Sequence, residues 1–353
     1  MNKWILSTLL SVSFLPSYAS AEWAISPYIV NGTSTTLTQY PSFVSLFYDR
    51  IEYDGVYGVG SFCGGTMLDE SHVLTAAHCL FDGDGQLNTH ILLFTSAAQT
   101  DDESAFPNGN IEIVRGAEFF HHPGYIDSSE MLWANDIAII RLAHPMNILG
   151  EVKLPSNTDY RLGTNGFDDD ENSYVFKAVG HGNTQSGKDE TDQLLFTTLS
   201  YVSNASCQQG ITQPLNASHL CFSGEINSTT KLSNGTCQGD SGGPVYWNDD
   251  GDLKQVGITS FGPSVCGHGL GDSQITSVFT EVVQYQTWIK GVLEGAITAD
   301  YIVTDEMRRA FFEPSSESSS SGGSLNFLSW LGLMCLGYWR CRKKGVATGC
   351  SKR

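Results

Sequence analysis

Gly239-Asp240-Ser241-Gly242-Gly243-Pro244 can hold a serine hydroxyl beside two backbone N–H groups aimed at one point, the core of an acyl-transfer site. A serine at its free pKa is a poor nucleophile, so it needs an adjacent base, and that base needs an orienting acid. Thr75-Ala76-Ala77-His78-Cys79 offers a histidine beside a cysteine that can pin it. Asn135-Asp136-Ile137-Ala138-Ile139-Ile140 offers an aspartate at the mouth of an apolar, strand-like run. Any one of these residues alone is more often structural: a histidine in a core, an aspartate in a turn. The chemistry is carried by the three together.

The elements that must position them are short. Between the motifs run β-branched and aromatic stretches separated by Gly, Asn, Asp and Pro turns, with Tyr246 to Gly251 reading as a hairpin tip, and this pattern predicts an all-β fold. One segment reads as a helix, because Val282, Tyr285, Trp288, Ile289, Val292 and Leu293 fall on one face.

With Ile29-Val30-Asn31-Gly32 upstream, the motifs stand in the order terminus signal, His, Asp, Ser, and from about Ile29 to Leu293 the chain resembles the trypsin/chymotrypsin-like serine peptidase family. The resemblance implies two six-stranded antiparallel β-barrels with a C-terminal helix and the active site in the cleft between the barrels. It implies Ser241 as nucleophile, His78 as general base and then acid, Asp136 as the group fixing the imidazole tautomer, and the N–H groups of Gly239 and Ser241 as oxyanion hole. It pairs Cys63 with Cys79, Cys207 with Cys221 and Cys237 with Cys266, where the six cysteines alone allow fifteen pairings. It makes the chain a zymogen: cleavage after Tyr28 frees the Ile29 amine to pair with Asp240, and residues 22–28 are the propeptide. Gly235 takes the base of the specificity pocket, where trypsin-like members carry an aspartate. Gly262 and Ser277 become walls and Thr236 a polar edge, while Ser260 to Gly262 pair with substrate backbone. A neutral pocket favours aromatic or large apolar side chains, unless Asp272 turns in and restores a basic preference. Phe261 and His181 stand where most members have tryptophan and read as packing changes. His121, His122 and His268 lack matching partners and read as loop residues. The implied partners are protein or peptide substrates and proteinaceous inhibitors; no cofactor and no metal are implied. Asp82-Gly83-Asp84-Gly85 and Asp101-Asp102-Glu103 lie where some relatives bind calcium, but their oxygen spacing does not match.

The 353 residues carry a formal net charge of −19. The acidic excess deepens over residues 29–324 once Lys3, Glu22 and the basic residues of the last fourteen are set aside, and such a surface repels nucleic acid. Lys3, the apolar run Trp4 to Leu15 and Ala19-Ser20-Ala21 read as a signal peptide over residues 1–21, which takes the cysteines to an oxidising compartment. The peptidase domain is expected over residues 29–297, with a serine-rich linker over 298–324. Over 325–353 an apolar stretch, Leu325 to Trp339, is followed by Arg340, Arg342, Lys343 and Lys344. This tail, preceded by Gly322-Gly323, is similar to the sorting tails of Gram-negative secreted proteins. That likeness implies secretion machinery, transient membrane contact and removal by a rhomboid-type peptidase, on the way to a secreted or cell-surface location. The alternatives are a membrane-tethered envelope peptidase and a catalytically silent surface module. Five Asn-x-Ser/Thr sequons, at Asn31, Asn204, Asn216, Asn227 and Asn234, read as turn residues.

Overall fold

The computed structural model describes residues 29–162, 176–187, 191–249, 251–271 and 273–313. The expected signal peptide, propeptide, Gly322-Gly323 tail and Asp272 lie outside the described residues. The chain divides into two units, Met1–Phe311 and Phe312–Arg353. Only Phe312 and Glu313 of the second are described, and among the described residues no helix is long and apolar enough to cross a membrane.

Twelve of the strands among the described residues close into two barrels in the first unit. Phe43–Arg50 (β1), Cys63–Asp69 (β2), His72–Thr75 (β3), Thr95–Ala98 (β4), Ile113–His121 (β5) and Ala138–Leu142 (β6) pair antiparallel in the spatial order β1-β2-β3-β6-β5-β4, and β4 returns to β1. Phe176–Gly180 (β7), Leu195–Val202 (β8), His219–Ser223 (β9), Pro244–Asp249 (β10), Asp252–Phe261 (β11) and Ile275–Glu281 (β12) close in the order β7-β8-β9-β12-β11-β10. The two barrels therefore share one winding, and closure removes the unpaired edges that an open sheet would expose.

Side chains fill each barrel. Phe176, Leu199, Leu220, Phe222, Val245, Trp247 and Phe279 form the interior of the second. Between the barrels Phe43 of β1 packs with Val179 of β7 and Tyr246 of β10. Ser42 and Tyr246 share a hydroxyl hydrogen bond of 2.8 Å, and Thr66 Oγ1 donates to Gln255 Oε1 at 2.6 Å. The barrels are thus bonded as well as packed, which fixes their mutual register. Tyr246 and Trp247, read from the sequence as hairpin tip, lie buried within β10, and the turn itself passes through Gly251 at φ +94°.

The helix divides into a 3-10 turn, Val282–Tyr285, and an α-helix, Gln286–Leu293, burying Val282, Tyr285, Trp288, Ile289 and Val292. Leu293, expected on the same face, is exposed instead, because the helix ends there and Gly295 turns the chain away in a left-handed conformation.

Two straps cross the barrels. Thr33–Ser34 precedes the first barrel but pairs with Phe196 and Leu195 of the second, and Tyr301–Ile302 follows the second but pairs with Phe119 and Glu118 of the first. The expected start of the linker at residue 298 is therefore corrected: packed structure continues through the helix Asp305–Ala310. Its Arg308 is only 3% exposed and donates to Leu93 O at 2.7 Å, Gly116 O at 2.8 Å and Asp305 Oδ1 at 2.8 Å. Composition hid this, since a polar stretch after the last family element looks like linker, whereas the guanidinium fork matches two carbonyls, that of Leu93 in the short helix Thr89–Phe94 and that of Gly116 within β5. Arg308→Met should leave those buried carbonyls without donors and destabilise the fold by about 2–4 kcal/mol in denaturant unfolding. A change below about 0.5 kcal/mol would show that the strap adds nothing to the barrel.

Candidate active site

His78 sits in the 3-10 turn Ala77–Leu80 that follows β3, and the bonded pair Cys63–Cys79 ties that turn back to β2. Asp136 stands just before β6 and is fully buried. Its Oδ1 accepts from the His78 backbone N–H at 2.9 Å, and its Oδ2 takes His78 Nδ1 at 2.7 Å and the Ser260 hydroxyl at 2.5 Å. Because Nδ1 must donate to a carboxylate, Nε2 is left as the acceptor and base. Burial alone would lower the His78 pKa. The charge and hydrogen bond of Asp136, with a smaller push from Asp127, outweigh it and hold the imidazole above its ordinary value.

Asp136 is delivered by an unusual loop. Leu132, Trp133 and Asn135 all have left-handed φ, at +51°, +44° and +59°, a conformation costly for bulky side chains. Asn135 is clamped on both sides, its Nδ2 donating to Gly124 O at 2.6 Å and its Oδ1 accepting from Tyr285 OH at 3.0 Å. The sequence carried no signal for the Tyr285 clamp, which joins residues 150 positions apart.

Ser241 lies in the turn before β10. The amides around it are used in sequence: Asp240 N donates to Cys237 O, Gly242 N to Thr259 O and Gly243 N to Asp240 O. The N–H groups of Gly239 and Ser241 donate to no protein acceptor among the described residues. Gly239 has φ +100°, and a Cβ there would stand 2.8 Å from Gly182 Cα, so only glycine turns this amide outward. The Ser241 carbonyl accepts from Gly64 N at 2.8 Å, which sets the turn against β2 of the other barrel. Ser241 and His78 share no hydrogen bond in this structure.

Asp240 points the other way. Its carboxylate is buried, accepting from Gly182 N at 2.9 Å and Cys237 N at 2.8 Å. Burial pushes its pKa up to about 7, the two amides only partly opposing it. The carboxylate fits because Gly182 lacks a side chain: a Cβ there would meet its carboxyl carbon at 2.4 Å. His181, between Gly180 and Gly182, is more than a packing change. Its Nδ1 bonds Ser45 Oγ of β1 at 3.1 Å, the ring is buried, and burial pushes its pKa down to about 4, opposed in part by the backbone of Asp101. Ile29 and Val30 are fully buried, and Val30 packs against the bonded Cys237–Cys266 pair whose Cys237 amide serves Asp240. The N-terminal strap on the second barrel is what brings these residues there.

A cleft of about 230 Å³ opens beside Ser241, and Thr236, Phe261 and Gly262 line it, with Ser260, Pro263 and Ser264. No charged side chain lines it among the described residues. Gly235 and Ser277, expected as base and wall, lie behind the lining. Ser277 is fully buried and its hydroxyl is spent on Thr236, meeting its N–H at 2.9 Å and its Oγ1 at 3.0 Å. Phe261, read as a packing change, is itself part of the cleft wall and lies 5.5 Å from the Trp133 ring. Cys207 and Cys221 are bonded under this wall. Two of the three histidines read as loop residues are engaged: His121 faces Asp300 at 3.7 Å, and the His122 ring meets Tyr285 and Trp288 edge-on, while His268 is exposed in its loop. Of the acidic groups considered for calcium, Asp82 accepts from the amides of Asp84 and Gln86, Asp101 from Leu37 N, and Glu103 from Ser61 N.

Comparison with known proteins agrees with this arrangement. The family model described as Trypsin matches residues 29–289. The chain is 31% identical to alkaline C trypsin of Manduca sexta over 74% of this chain and 89% of that protein. It is 30% identical to brachyurin of Leptuca pugilator over 74% of this chain and 97% of that protein. CLIP domain-containing serine protease B4 of Anopheles gambiae is 28% identical over 78% of this chain and 73% of that protein. With its two closed barrels and a family match across most of its length, the chain belongs to the trypsin family of serine endopeptidases.

Proposed function

We propose that Ser241, His78 and Asp136 carry out peptide hydrolysis through an acyl-enzyme, and that the enzyme is made as a zymogen and cleaves after aromatic or large apolar residues. The observation that carries the first part is the buried chain of hydrogen bonds from Ser260 through Asp136 to His78, beside a cleft lined by Ser241. His78 Nε2 takes the serine proton as Oγ attacks the carbonyl, then returns it to the leaving amine, while Asp136 stabilises the imidazolium. The unengaged amides of Gly239 and Ser241 receive the oxyanion, each such donor being worth about 3–4 kcal/mol. The absence of a Ser241–His78 bond is no obstacle, since such contacts tighten in the substrate complex. Substrate backbone extends β11 along Ser260 to Gly262. The uncharged lining supports an apolar side chain before the cleaved bond, worth roughly 1.5–3 kcal/mol on burial.

Zymogen status is supported by Asp240. In the uncleaved chain it is a buried acid held by two amides and, among the described residues, by no cation; cleavage after Tyr28 supplies the Ile29 ammonium from a segment already packed beside Cys237. Three disulfides support an oxidising, extracellular setting. The reading of the tail as a removable Gram-negative sorting signal rests on Gly322-Gly323, the short apolar run and the basic cluster alone.

Ser241→Ala should lower hydrolysis by several orders of magnitude with the fold intact. Incubating that variant with a trace of wild-type enzyme should yield a new terminus at Ile29, and peptides differing only before the cleaved bond should rank Tyr, Phe and Leu above Arg and Lys. Residual activity within tenfold of wild type would sink the serine mechanism, and an Arg preference would overturn the neutral pocket. The intact mass of the mature protein reads the tail: retention of residues 345–353 would exclude its removal.

Because protonated His78 cannot act as base, kcat/KM should rise with pH through a pKa above the ordinary imidazole value of about 6.5. An acid limb at or below that value would contradict the Asp136 pairing.

For Asp240 the folded pKa, about 7, lies above the ordinary 3.8. The folded uncleaved chain therefore binds more protons than the unfolded one between these values, and its stability falls as pH rises from about 4 to 7. The loss is of order 4 kcal/mol at about 1.4 kcal/mol per pH unit. The product cleaved before Ile29, compared with the intact Ser241→Ala chain, should melt higher by a margin that widens across this range. A constant margin would remove the proposed Ile29–Asp240 pair.

A further inference from the structure

His219 opens β9, and no sequence motif marks it. It is 2% exposed. Its Nδ1 meets the backbone N–H of Asn216 at 3.1 Å, and an amide can only donate, so the ring proton must sit on Nε2. Nε2 lies 2.9 Å from Leu132 O and donates to it. Burial, the leading effect, also lowers the His219 pKa and favours this neutral tautomer. The ring stands edge-on to Phe261, with centroids 5.9 Å apart at 80°.

What His219 holds is the left-handed loop over residues 132–135. A left-handed leucine followed by a left-handed tryptophan persists only where the surroundings over-determine it. Here they do so from the opposite barrel. The Leu132 side chain inserts among Cys207, Ile211, Cys221, Ile275 and Val278, all of the second barrel, while its carbonyl is taken by His219. The next residue, Trp133, is thereby placed against Phe261, which lines the cleft. The Leu132–Trp133 peptide unit is held at both ends: its N–H donates to Ser128 O at 3.0 Å, within the loop, and its carbonyl accepts from His219, among the described residues the one backbone restraint on this unit that comes from the second barrel.

We propose that His219 is a positioning residue for peptide cleavage: its Nε2–H bond to Leu132 O fixes the loop that sets Trp133 beside Phe261, forming an aromatic wall for the peptide N-terminal to the cleaved bond. The proposal rests on Ser241 being the reacting centre, a reading whose own failure shows separately as activity in Ser241→Ala.

The test compares two substrates of the full-length active enzyme: an ester of a single aromatic residue, which fills only the cleft beside Ser241, and a tetrapeptide amide ending in the same residue. His219→Asn keeps an acceptor for Asn216 N–H but is too short to reach Leu132, whereas His219→Gln places an amide nitrogen near the position of Nε2. His219→Asn should cost the tetrapeptide about tenfold more kcat/KM than it costs the ester, mainly through KM, and His219→Gln should recover most of that ratio. Trp133→Ala should show the same selective loss, and adding His219→Asn to it should cost little more. Equal loss on both substrates would mean a merely structural histidine and overturn the proposal, as would no advantage of Gln over Asn or additive effects with Trp133→Ala. Should His219→Asn fail to fold, Trp133→Ala alone decides: without a selective tetrapeptide loss there is no aromatic wall for His219 to set.

Discussion

Asp136 is a carboxylate with no exposure to water, and such a group is tolerated only when hydrogen bonds replace its hydration. Its three donors come from both barrels: the amide and ring of His78 from the first, the hydroxyl of Ser260 from the second. Neither barrel alone can satisfy it. The docking of the two barrels is therefore also the assembly of the site, and much of the surrounding structure follows from that demand. The Cys63–Cys79 bond restrains the turn carrying His78, the bonds from Tyr285 and Gly124 restrain Asn135, and the strained loop before Asp136 is braced by Leu132 in the opposite core. Strain of this kind persists because the packing on every side excludes the relaxed alternative.

Asp240 is the second buried carboxylate, one residue from Ser241, and it differs from the first in what answers it. Among the described residues two amides hold it and no cation does, and burial raises its pKa to about 7. The same peptide segment thus presents a hydroxyl to the cleft and an incompletely compensated acid to the interior. The N-terminal strap, lying on the second barrel rather than on the first that it precedes, brings Ile29 and Val30 to the Cys237–Cys266 pair beside that acid. One turn thus faces the cleft on one side and the buried acid on the other, and it is packed so closely that a Cβ at Gly239 would stand 2.8 Å from Gly182 Cα.

The specificity surface is equally a product of both barrels. Thr236, Ser260, Phe261 and Gly262 come from the second, while Trp133 reaches Phe261 from the first. The cleft lining is uncharged among the described residues although the chain as a whole carries −19.

The sequence by itself determined the parts whose information is local or carried by motif. The six bonded cysteines, the all-β character and the terminal helix were legible, as was the proximity of His78 to Asp136, because short motifs encode turns and β-branched runs encode strands. It did not determine which side chains face the cleft. Gly235 and Ser277 have the right places along the chain, yet Ser277 spends its hydroxyl on Thr236 behind the lining, a matter of how β12 packs under its neighbour. Nor could it show His219 holding Leu132 across 87 positions, Tyr285 holding Asn135 across 150, or Arg308 capping carbonyls some 200 residues earlier. Each of these is a hydrogen bond demanded by burial, and burial exists only once the barrels close and dock. Local sequence states what a residue can donate or accept; tertiary packing decides which partners are left when water is gone.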